Sequence, residues 1–252
     1  MNQERLLSQD VARRFLLQLV EEARRQDLLS DEHFSVDGTL LEAWASLKSL
    51  RRRDDDDEGP SEGGRNPSVD YHGERRTNAT HVSATDAEAR LARKSYNQAA
   101  RLSFAGHILM EHRSGLAMDV EVTQAVGVPE WEAALRMLHR LPSGGRKTVA
   151  GDRAYDNKGF VAGCRERRIT PHVAQFPTTR TRKSAIDGRT TRHAGYHHSQ
   201  RWRKRIEEVF GWLKTVGGGR KLRHSGVQRN QMWAEMAVAA YNLVRMARLT
   251  AT

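Results

Sequence analysis

The sequence LSFAGHILMEHRSGLAMDVEVTQ, residues 102–124, carries the clearest structural signal in the chain. Its first part, LSFAGHILMEH, and its last part, LAMDVEVTQ, both alternate between apolar and more polar side chains along their length. Such alternation is typical of a β-strand with one buried face, and the short HRSG stretch between the two parts can reverse the chain. The segment therefore predicts a β-hairpin.

Helical and strand patterns follow one another on both sides of this hairpin. Upstream, apolar residues recur through 9–29 at the spacing of a helix, which predicts a helix there. The stretch HFSVDGT (33–39) predicts a short strand that ends at Gly38. Downstream, we expect a helix at 129–141, a strand at 147–151, a helix at 157–168, a strand at 170–176, a basic loop at 178–201, and helices at about 199–216 and 228–248. This order predicts an α/β or α+β fold around one mixed sheet.

Residues 51–100 differ from the rest of the chain in composition. They include RRRDDDDEGPSEGGRNP (51–67) and almost no large aliphatic side chain before Leu91. A segment of this kind has too little apolar surface to form a core of its own. We therefore expect a long, flexible charged loop inserted into the domain.

The charge of the chain is distributed unevenly. The 252 residues carry a net charge of +11, and residues 151–252 hold 21 Lys and Arg against 7 Asp and Glu. A one-sided basic excess is the usual electrostatic signature of a polyanion partner; the alternative is a basic surface that only aids solubility. The single Cys164 excludes an internal disulfide, and no apolar run is long enough to cross a membrane.

Three acidic residues occupy positions that would suit a catalytic metal site. Asp37 ends the first predicted strand, Asp152 ends the strand VAGD, and Glu207 lies on the helix RWRKRIEEVFGWLK. Ligand sites in open α/β sheets gather beyond the carboxyl ends of the strands. Taken singly, each Asp could equally be a turn residue, and Glu207 could form an ordinary helical ion pair with Arg203.

The helix around Glu207 has two distinct faces. Trp202, Ile206, Val209 and Leu213 fall on one face and predict the side that packs on the core. A second face carries Arg203, Glu207 and Lys214. Glu208 points about 100° away from Glu207, as expected for adjacent residues of a helix, so we expect it to lie in solvent.

Together these segments resemble bacterial insertion-sequence transposases of the DDE class. HFSVDGTLLEAWAS and VAGDRAYD resemble the segments that carry the two catalytic Asp residues of that family. RWRKRIEEVFGWLKTVGGGRK resembles its signature around the catalytic Glu, with an R-x3-E-x6-K spacing. HGERRTNATH, SAIDGRTTRH and AAYNLVRMARL add to the match, which covers essentially the whole chain.

The resemblance implies a ribonuclease-H-like fold, a mixed five-stranded sheet flanked by helices. It implies that Asp37, Asp152 and Glu207 are the catalytic residues and hold two Mg²⁺ (or Mn²⁺) ions. It also implies that Arg203 and Lys214 contact DNA phosphates. We expect three parts: an N-terminal helical remnant (1–32), the catalytic domain with its insertion at 51–100 (33–226), and a C-terminal helix packed on the core (227–252).

Several further predictions rest on charge or on departures from the family pattern. Other candidate contacts to the DNA backbone are Lys183, Arg189, Arg192, Arg201 and Arg220. Gln200 stands where the family often has a Tyr. Only 36 residues precede Asp37, which indicates the catalytic part of a longer transposase, either a truncated copy or the second half of a frameshifted product.

Other assignments remain open at this level. Asp156 could replace Asp152, whereas Asp119 and Glu121 are expected to be exposed on the hairpin.

The function predicted is metal-dependent cleavage and transfer of double-stranded DNA, with a homodimer acting on paired element ends in the bacterial cytoplasm, associated with the nucleoid. The alternatives are a catalytically inactive DNA-binding remnant and a metal-dependent nuclease that cuts without joining.

Overall fold

A computed structural model describes residues 10–53, 70–71, 74–95, 97–177, 179 and 181–251. The helices are α1 (Val11–Arg25), α2 (Glu130–His139), α3 (Lys158–Glu166), α4 (Gly188–Thr191), α5 (Ala194–Trp202), α6 (Ile206–Lys214) and α7 (Val227–Thr250). The strands are β1 (His33–Glu42), β2 (Leu50–Arg52), β3 (Asp70–Tyr71), β4 (Glu74–Arg75), β5 (His81–Ser83), β6 (Arg90–Ala92), β7 (Arg101–Glu111), β8 (Ala117–Gln124), β9 (Lys147–Gly151) and β10 (Ile169–Val173).

The predicted hairpin is present as β7 and β8, and it lies in the main sheet. Antiparallel pairing runs from Phe104–Gln124 to Met110–Ala117, with an irregularity at Leu109. The other edge of β7 pairs antiparallel with β1, while β9 pairs parallel with β1 and β10 parallel with β9. The order β10-β9-β1-β7-β8 gives the mixed sheet that was expected, so the predicted α/β fold class is confirmed.

Helices cover both faces of this sheet. Side chains alternate along β1, so Gly38 and Thr39 face opposite sides. Helix α2 lies against Gly38, and α6 lies against Thr39 through Lys214. The core between the layers contains Phe34, Phe104, Ile108, Leu138, Val149 and Phe160, all fully buried. Burying apolar side chains on both faces of the sheet supplies the main driving force for this arrangement.

Helix α7 packs along β8 and covers its outer edge with side-chain amides. Gln231 accepts a hydrogen bond from the backbone N–H of Val122 at 2.6 Å and donates one to the carbonyl of Val120 at 2.9 Å. Asn242 forms the same pair of bonds with Ala117, at 2.9 and 2.8 Å. These amides satisfy backbone groups of a strand edge that would otherwise be open to another chain.

The segment 51–100 is more structured in its described part than its composition indicates. Strand β6 pairs with Arg101–Ser103 of β7 and so joins the main sheet, and Leu91 is buried. Asn78 exchanges two hydrogen bonds with the backbone of Leu91, at 2.7 and 2.9 Å. Pairing with the next strand of the chain, rather than hydrophobicity of the segment itself, orders this part. The acidic run at 54–57 lies outside the described residues.

Three other expectations require correction. Strand β1 continues beyond Gly38 to Glu42, because β7 pairs with it as far as Glu42–Ser103. The basic stretch 178–201 contains α4 and most of α5 rather than only a loop. Trp202 is 43% exposed and not in the core, because a 3₁₀ turn at Arg203–Arg205 interrupts the expected helix and changes its phase.

Asp119 is also placed differently from the prediction. It is buried and pairs with Arg13 of α1 and with Arg140, the latter at 2.7 Å. Two guanidinium groups compensate the cost of burying this carboxylate.

In the described part of the chain, none of the helices is both long and apolar enough to cross a membrane.

Candidate active site

Asp37 lies on β1, and Asp152 directly follows the adjacent parallel strand β9, near the point where the two strands separate. The last paired residues of β1 and β9 are Ser35 and Ala150, and each Asp follows two residues later. Asp37 accepts a hydrogen bond from the N–H of Gly38 at 2.8 Å, and Asp152 accepts one from Ala154 at 2.7 Å. The equal offset from a parallel pair therefore brings the two carboxylates to the same end of the sheet.

The chain that carries Glu207 fills the edge of β1 that β9 leaves open. Lys214, at the end of α6, donates a hydrogen bond from Nζ to Thr39 Oγ1 at 2.5 Å. Further on, Leu222 donates its N–H to the carbonyl of Glu42 at 2.8 Å. Because α6 runs beside β1 in this way, Glu207 in its first turn comes within electrostatic range of Asp37.

Glu208 points elsewhere, as the helical wheel predicts. It lines a groove with Trp212 of α6 and Tyr241 of α7, and its charge acts on Tyr241. Of the two adjacent glutamates, only Glu207 acts on Asp37. The geometry thus separates the two side chains onto different faces of α6.

The electrostatics of the site are dominated by Asp37. Burial, together with the charges of Asp152 and Glu207, raises the pKa of Asp37 to about 6, although the Gly38 N–H and the Arg203 guanidinium oppose this. A carboxyl group placed near other carboxylates is disfavoured in its charged form. The site therefore concentrates negative charge that a bound cation would neutralise.

Gln200 connects Arg203 to the ends of the parallel strands. Its carbonyl oxygen accepts a hydrogen bond from Arg203 Nε at 3.1 Å. Its amide nitrogen donates to the carbonyl of His172 on β10 and, at 3.4 Å, to that of Gly151 on β9. The Gln200 amide thus holds Arg203, whose charge acts on Asp37.

Glu130 is a fourth carboxylate at the site that the sequence did not reveal. It begins α2, and burial of its carboxyl group and the charges of Asp37 and Asp152 raise its pKa, even though the residue keeps an exposed surface. An acidic residue in the first turn of a helix is common for reasons of helix stability alone. The position of Glu130 in the sequence therefore did not indicate a role at the site. The only available signal was that this helix start follows a strand of the sheet directly.

Asp156, the alternative to Asp152, has a structural role. It is buried and accepts hydrogen bonds from the N–H groups of Phe176 and Ala185, at 2.7 and 2.8 Å, and from the Ser184 hydroxyl at 3.1 Å. Asp152 is only partly buried. A carboxylate whose oxygens are already engaged in this way is poorly placed to bind a metal, so the geometry favours Asp152.

The donor set suits a hard divalent cation. Asp37, Asp152, Glu207 and Glu130 present carboxylate oxygens, which Mg²⁺ and Mn²⁺ prefer over nitrogen and sulfur ligands. Within the described ranges, however, no three His, Cys, Asp or Glu side chains stand close enough together to hold a metal ion as they are placed. The fit to a divalent cation thus rests on the chemistry of these oxygen ligands and on their electrostatic proximity around Asp37.

Comparison with known proteins places the chain in a family. A model of the family described as Transposase DDE domain matches residues 28–243. The chain belongs to this family. The predicted resemblance to DDE transposases is thereby confirmed at the level of the domain. No curated protein sequence matches this DDE domain significantly.

Two solved structures are similar to the DDE domain. A synaptic complex of piggyBac transposase with hairpin DNA is 10% identical, with a TM-score of 0.43, and the match covers 85% of this chain and 48% of that one. An intasome of simian T-cell lymphotropic virus in complex with the PP2A regulatory subunit B56 gamma is 13% identical, with a TM-score of 0.35, covering 82% and 48%. The DDE domain spans about half the length of each.

A basic cleft of about 420 Å³ adjoins Lys214 of the DDE domain. Lys94, Arg101, Lys214 and Arg220 line it, together with Glu42, which pairs with Arg101. Burial and the neighbouring Lys94 lower the pKa of Lys214. Two ammonium groups held in one cleft repel each other, which makes it a favourable place for an anion. Lys94 comes from the inserted segment and was not predicted.

The remaining predicted cations of the DDE domain lie on the stretch that carries α4 and α5. Lys183, Arg189, Arg192 and Arg201 are exposed there. Arg189 pairs with Asp187 at 2.9 Å, which partly neutralises it. The structure thus brings Arg220 to the cleft beside Lys214, whereas the other four belong to a separate part of the chain.

Proposed function

We propose that this DDE domain catalyses metal-dependent cleavage and transfer of the DNA strands of an insertion sequence. One observation carries the proposal. Asp37 and Asp152 each follow the last paired residues of two parallel strands by two positions, and Glu207 acts on Asp37 from the neighbouring helix. Three acidic residues that repel one another near the point where β1 and β9 separate suit binding of a divalent cation better than they suit stability.

Asp37, Asp152 and Glu207 would hold the metal, which we propose to be two Mg²⁺ or Mn²⁺ ions. When bound, such ions activate a hydroxyl nucleophile and stabilise charge at a scissile phosphate. The protein's own contribution is to hold the carboxylates at the strand ends and to orient Arg203 through Gln200. Membership of a family that generally depends on divalent metals supports this assignment.

Arg203, Lys214 and the basic cleft would bind the DNA backbone. Among the described residues, no carboxylate forms an ion pair with Lys94, Lys214 or Arg220 in that cleft. Cations without a protein counter-charge are available for phosphates, and such contacts set affinity and register rather than sequence preference. Action as a homodimer on two element ends, in the bacterial cytoplasm near the nucleoid, belongs to the same proposal.

The test is a strand-transfer assay with DNA taken from both sides of the coding sequence. The purified protein is incubated with a labelled duplex from either end, a supercoiled plasmid and Mg²⁺ or Mn²⁺. We expect the labelled strand to become joined to the plasmid by the wild-type protein and not by Asp37→Asn.

The other outcomes identify the alternatives. Cut strands that are never joined would indicate a nuclease. DNA binding that weakens steeply with salt, without cleavage in either metal and without any change in Asp37→Asn, would indicate an inactive DNA-binding protein and overturn the proposal.

A further inference from the structure

Gly38 leaves a gap in β1 into which the carboxyl group of Glu130 fits. A Cβ atom added at position 38 would lie 3.0 Å from Glu130 Oε1 and 3.2 Å from His107 Nδ1. Any side chain larger than hydrogen would therefore displace one of these groups. The absence of a side chain at Gly38 lets the carboxyl group of Glu130 approach the strand directly beside Asp37.

The groups around this gap are buried and incompletely hydrogen-bonded. His107 is fully buried, and its Nε2 lies 3.0 Å from Thr123 Oγ1. The Thr123 hydroxyl donates its hydrogen to the carbonyl of Gln124 at 3.1 Å, so His107 Nε2 must be the donor to Thr123. His107 Nδ1 then carries a lone pair, and it has no hydrogen-bond partner within the described part of the chain.

Tyr155 is a second group of this kind. Its ring packs against Gly151 at the end of β9, and its charge environment includes Glu130, Asp37 and Asp152. The side chain is fully buried, and in the described residues its hydroxyl has no hydrogen-bond partner. A buried polar atom without a partner normally signals a water, an ion or a functional role. His107 Nδ1 thus lies at the gap beside Glu130, and Tyr155 lies within electrostatic range of the same carboxyl group.

Glu130 approaches Asp37 from the opposite side of the sheet to Glu207. Glu130 lies on the face of β1 that Gly38 presents, whereas α6 lies on the face of Thr39. The charge of Asp37 acts on Glu130, and the charge of Glu207 acts on Asp37. A cation bound near Asp37 would thus have carboxylates from two helices within electrostatic range, which is more oxygen ligands than the three family positions alone supply.

We propose that Glu130 is a fourth carboxylate of the metal-binding site. This inference rests on the proposed function, because it assumes that Asp37 and Asp152 bind a divalent cation. Glu132 provides the structural comparison, since it lies in the same first turn of α2 and shares any benefit from the helix dipole. The charges of Asp37 and Asp152 act on Glu130, whose carboxyl group contacts the gap at Gly38.

The test is titration of the full chain with Mn²⁺, following free Mn²⁺ by electron paramagnetic resonance. We expect Glu130→Gln to weaken binding about tenfold, as loss of a supporting carboxylate does in metal sites, and Glu132→Gln to leave it unchanged. Thermal unfolding without metal checks the fold. There Glu130→Gln should be at least as stable as the wild type, because it removes one of several repelling carboxylates, and Mn²⁺ should stabilise it less.

The results separate this inference from the proposed function. If Asp37→Asn weakens Mn²⁺ binding and a folded Glu130→Gln binds as the wild type does, Glu130 is not part of the site while the proposed function stands. If Asp37→Asn and the wild type bind Mn²⁺ equally, the metal site itself is misplaced and both proposals fail.

Discussion

Lys214 Nζ donates a hydrogen bond to Thr39 Oγ1 at 2.5 Å, and this contact fixes helix α6 against strand β1 two residues from Asp37. Seven residues separate Lys214 from Glu207, which corresponds to about two helical turns. Because the far end of α6 is held at Thr39, its first turn is held beside the carboxylates. The relationship explains why a glutamate on a separate helix can act together with two aspartates on strands.

Glu207→Gln is expected to abolish strand transfer while DNA binding persists. The substitution keeps the size of the side chain but removes the charge that a divalent cation requires, so the loss should be on the order of 100-fold or more. Glu208→Gln is the matched control, because Glu208 faces α7 instead. Joining assays on both variants measure this directly. Inactivation by Glu208→Gln alone would contradict the orientation of α6 described above.

The basic cleft should contribute to DNA affinity through charge. The double variant Lys94→Gln, Arg220→Gln removes two cations from its lining. We expect the slope of log affinity against log salt concentration to become shallower by about 2, since each phosphate contact contributes about 0.9. Fluorescence anisotropy with a labelled duplex at several salt concentrations gives the slope. Arg25→Gln, on α1 at the side of α7, should leave it unchanged.

The stability of the protein should fall on acidification below pH 6.5. Burial lowers the pKa values of His107, His112 and His172 to about 4. A base with a lowered folded-state pKa takes up its proton first in the unfolded chain. Each histidine thus costs about 1.4 kcal/mol per pH unit between pH 6.5 and 4. Asp37 acts in the opposite sense, because its raised pKa of about 6 favours the folded state as the pH falls below 6.

Urea unfolding at pH 7 and pH 5 measures this balance. His112→Gln is the informative variant, because its amide can keep the bond that His112 makes with Ser35 at 2.6 Å but cannot take up a proton. Its stability should drop by about 2 kcal/mol less than that of the wild type over this interval. An identical drop would mean that folding does not shift the pKa of His112, and would contradict the prediction.

Gly38→Ala should weaken Mn²⁺ binding without altering any carboxylate. The added methyl group would lie 3.0 Å from Glu130 Oε1, so the glutamate must move away. We expect a loss of about tenfold or less, in the same direction as for Glu130→Gln. The same titration with free Mn²⁺ measures it. In the double variant Gly38→Ala, Glu130→Gln the two effects should not add, since both act through one side chain.

Asp156→Ala should destabilise the fold, whereas Asp152→Ala should not. Asp156 accepts three hydrogen bonds that hold the chain from Phe176 to Ala185, and removing the acceptor leaves those donors unpaired. The expected cost is about 2–4 kcal/mol in urea unfolding. Asp152→Ala should instead reduce Mn²⁺ binding. Destabilisation by Asp152→Ala with intact metal binding would reverse the two roles.

The periodicity of the sequence was sufficient to place most of the elements of the sheet. The alternation at 102–124 predicted β7 and β8, and the segments ending in Asp37 and Asp152 predicted the strands that carry those residues. The R-x3-E-x6-K spacing separated Glu207 from Glu208 because one helical turn fixes relative direction within a helix. These features depend on neighbours within one or two turns, which the sequence displays.

The remaining features depend on contacts between distant parts of the chain. Asp119 is buried because Arg13 of α1 and Arg140, directly after α2, both pair with it. Glu130 looks like any acidic residue at the start of a helix, and only the gap at Gly38 and the buried His107 distinguish it. The sequence by itself determined most of the sheet and three candidate carboxylates. Only the tertiary structure decided which further charges share their site, because electrostatic interaction depends on distance in space and not along the chain.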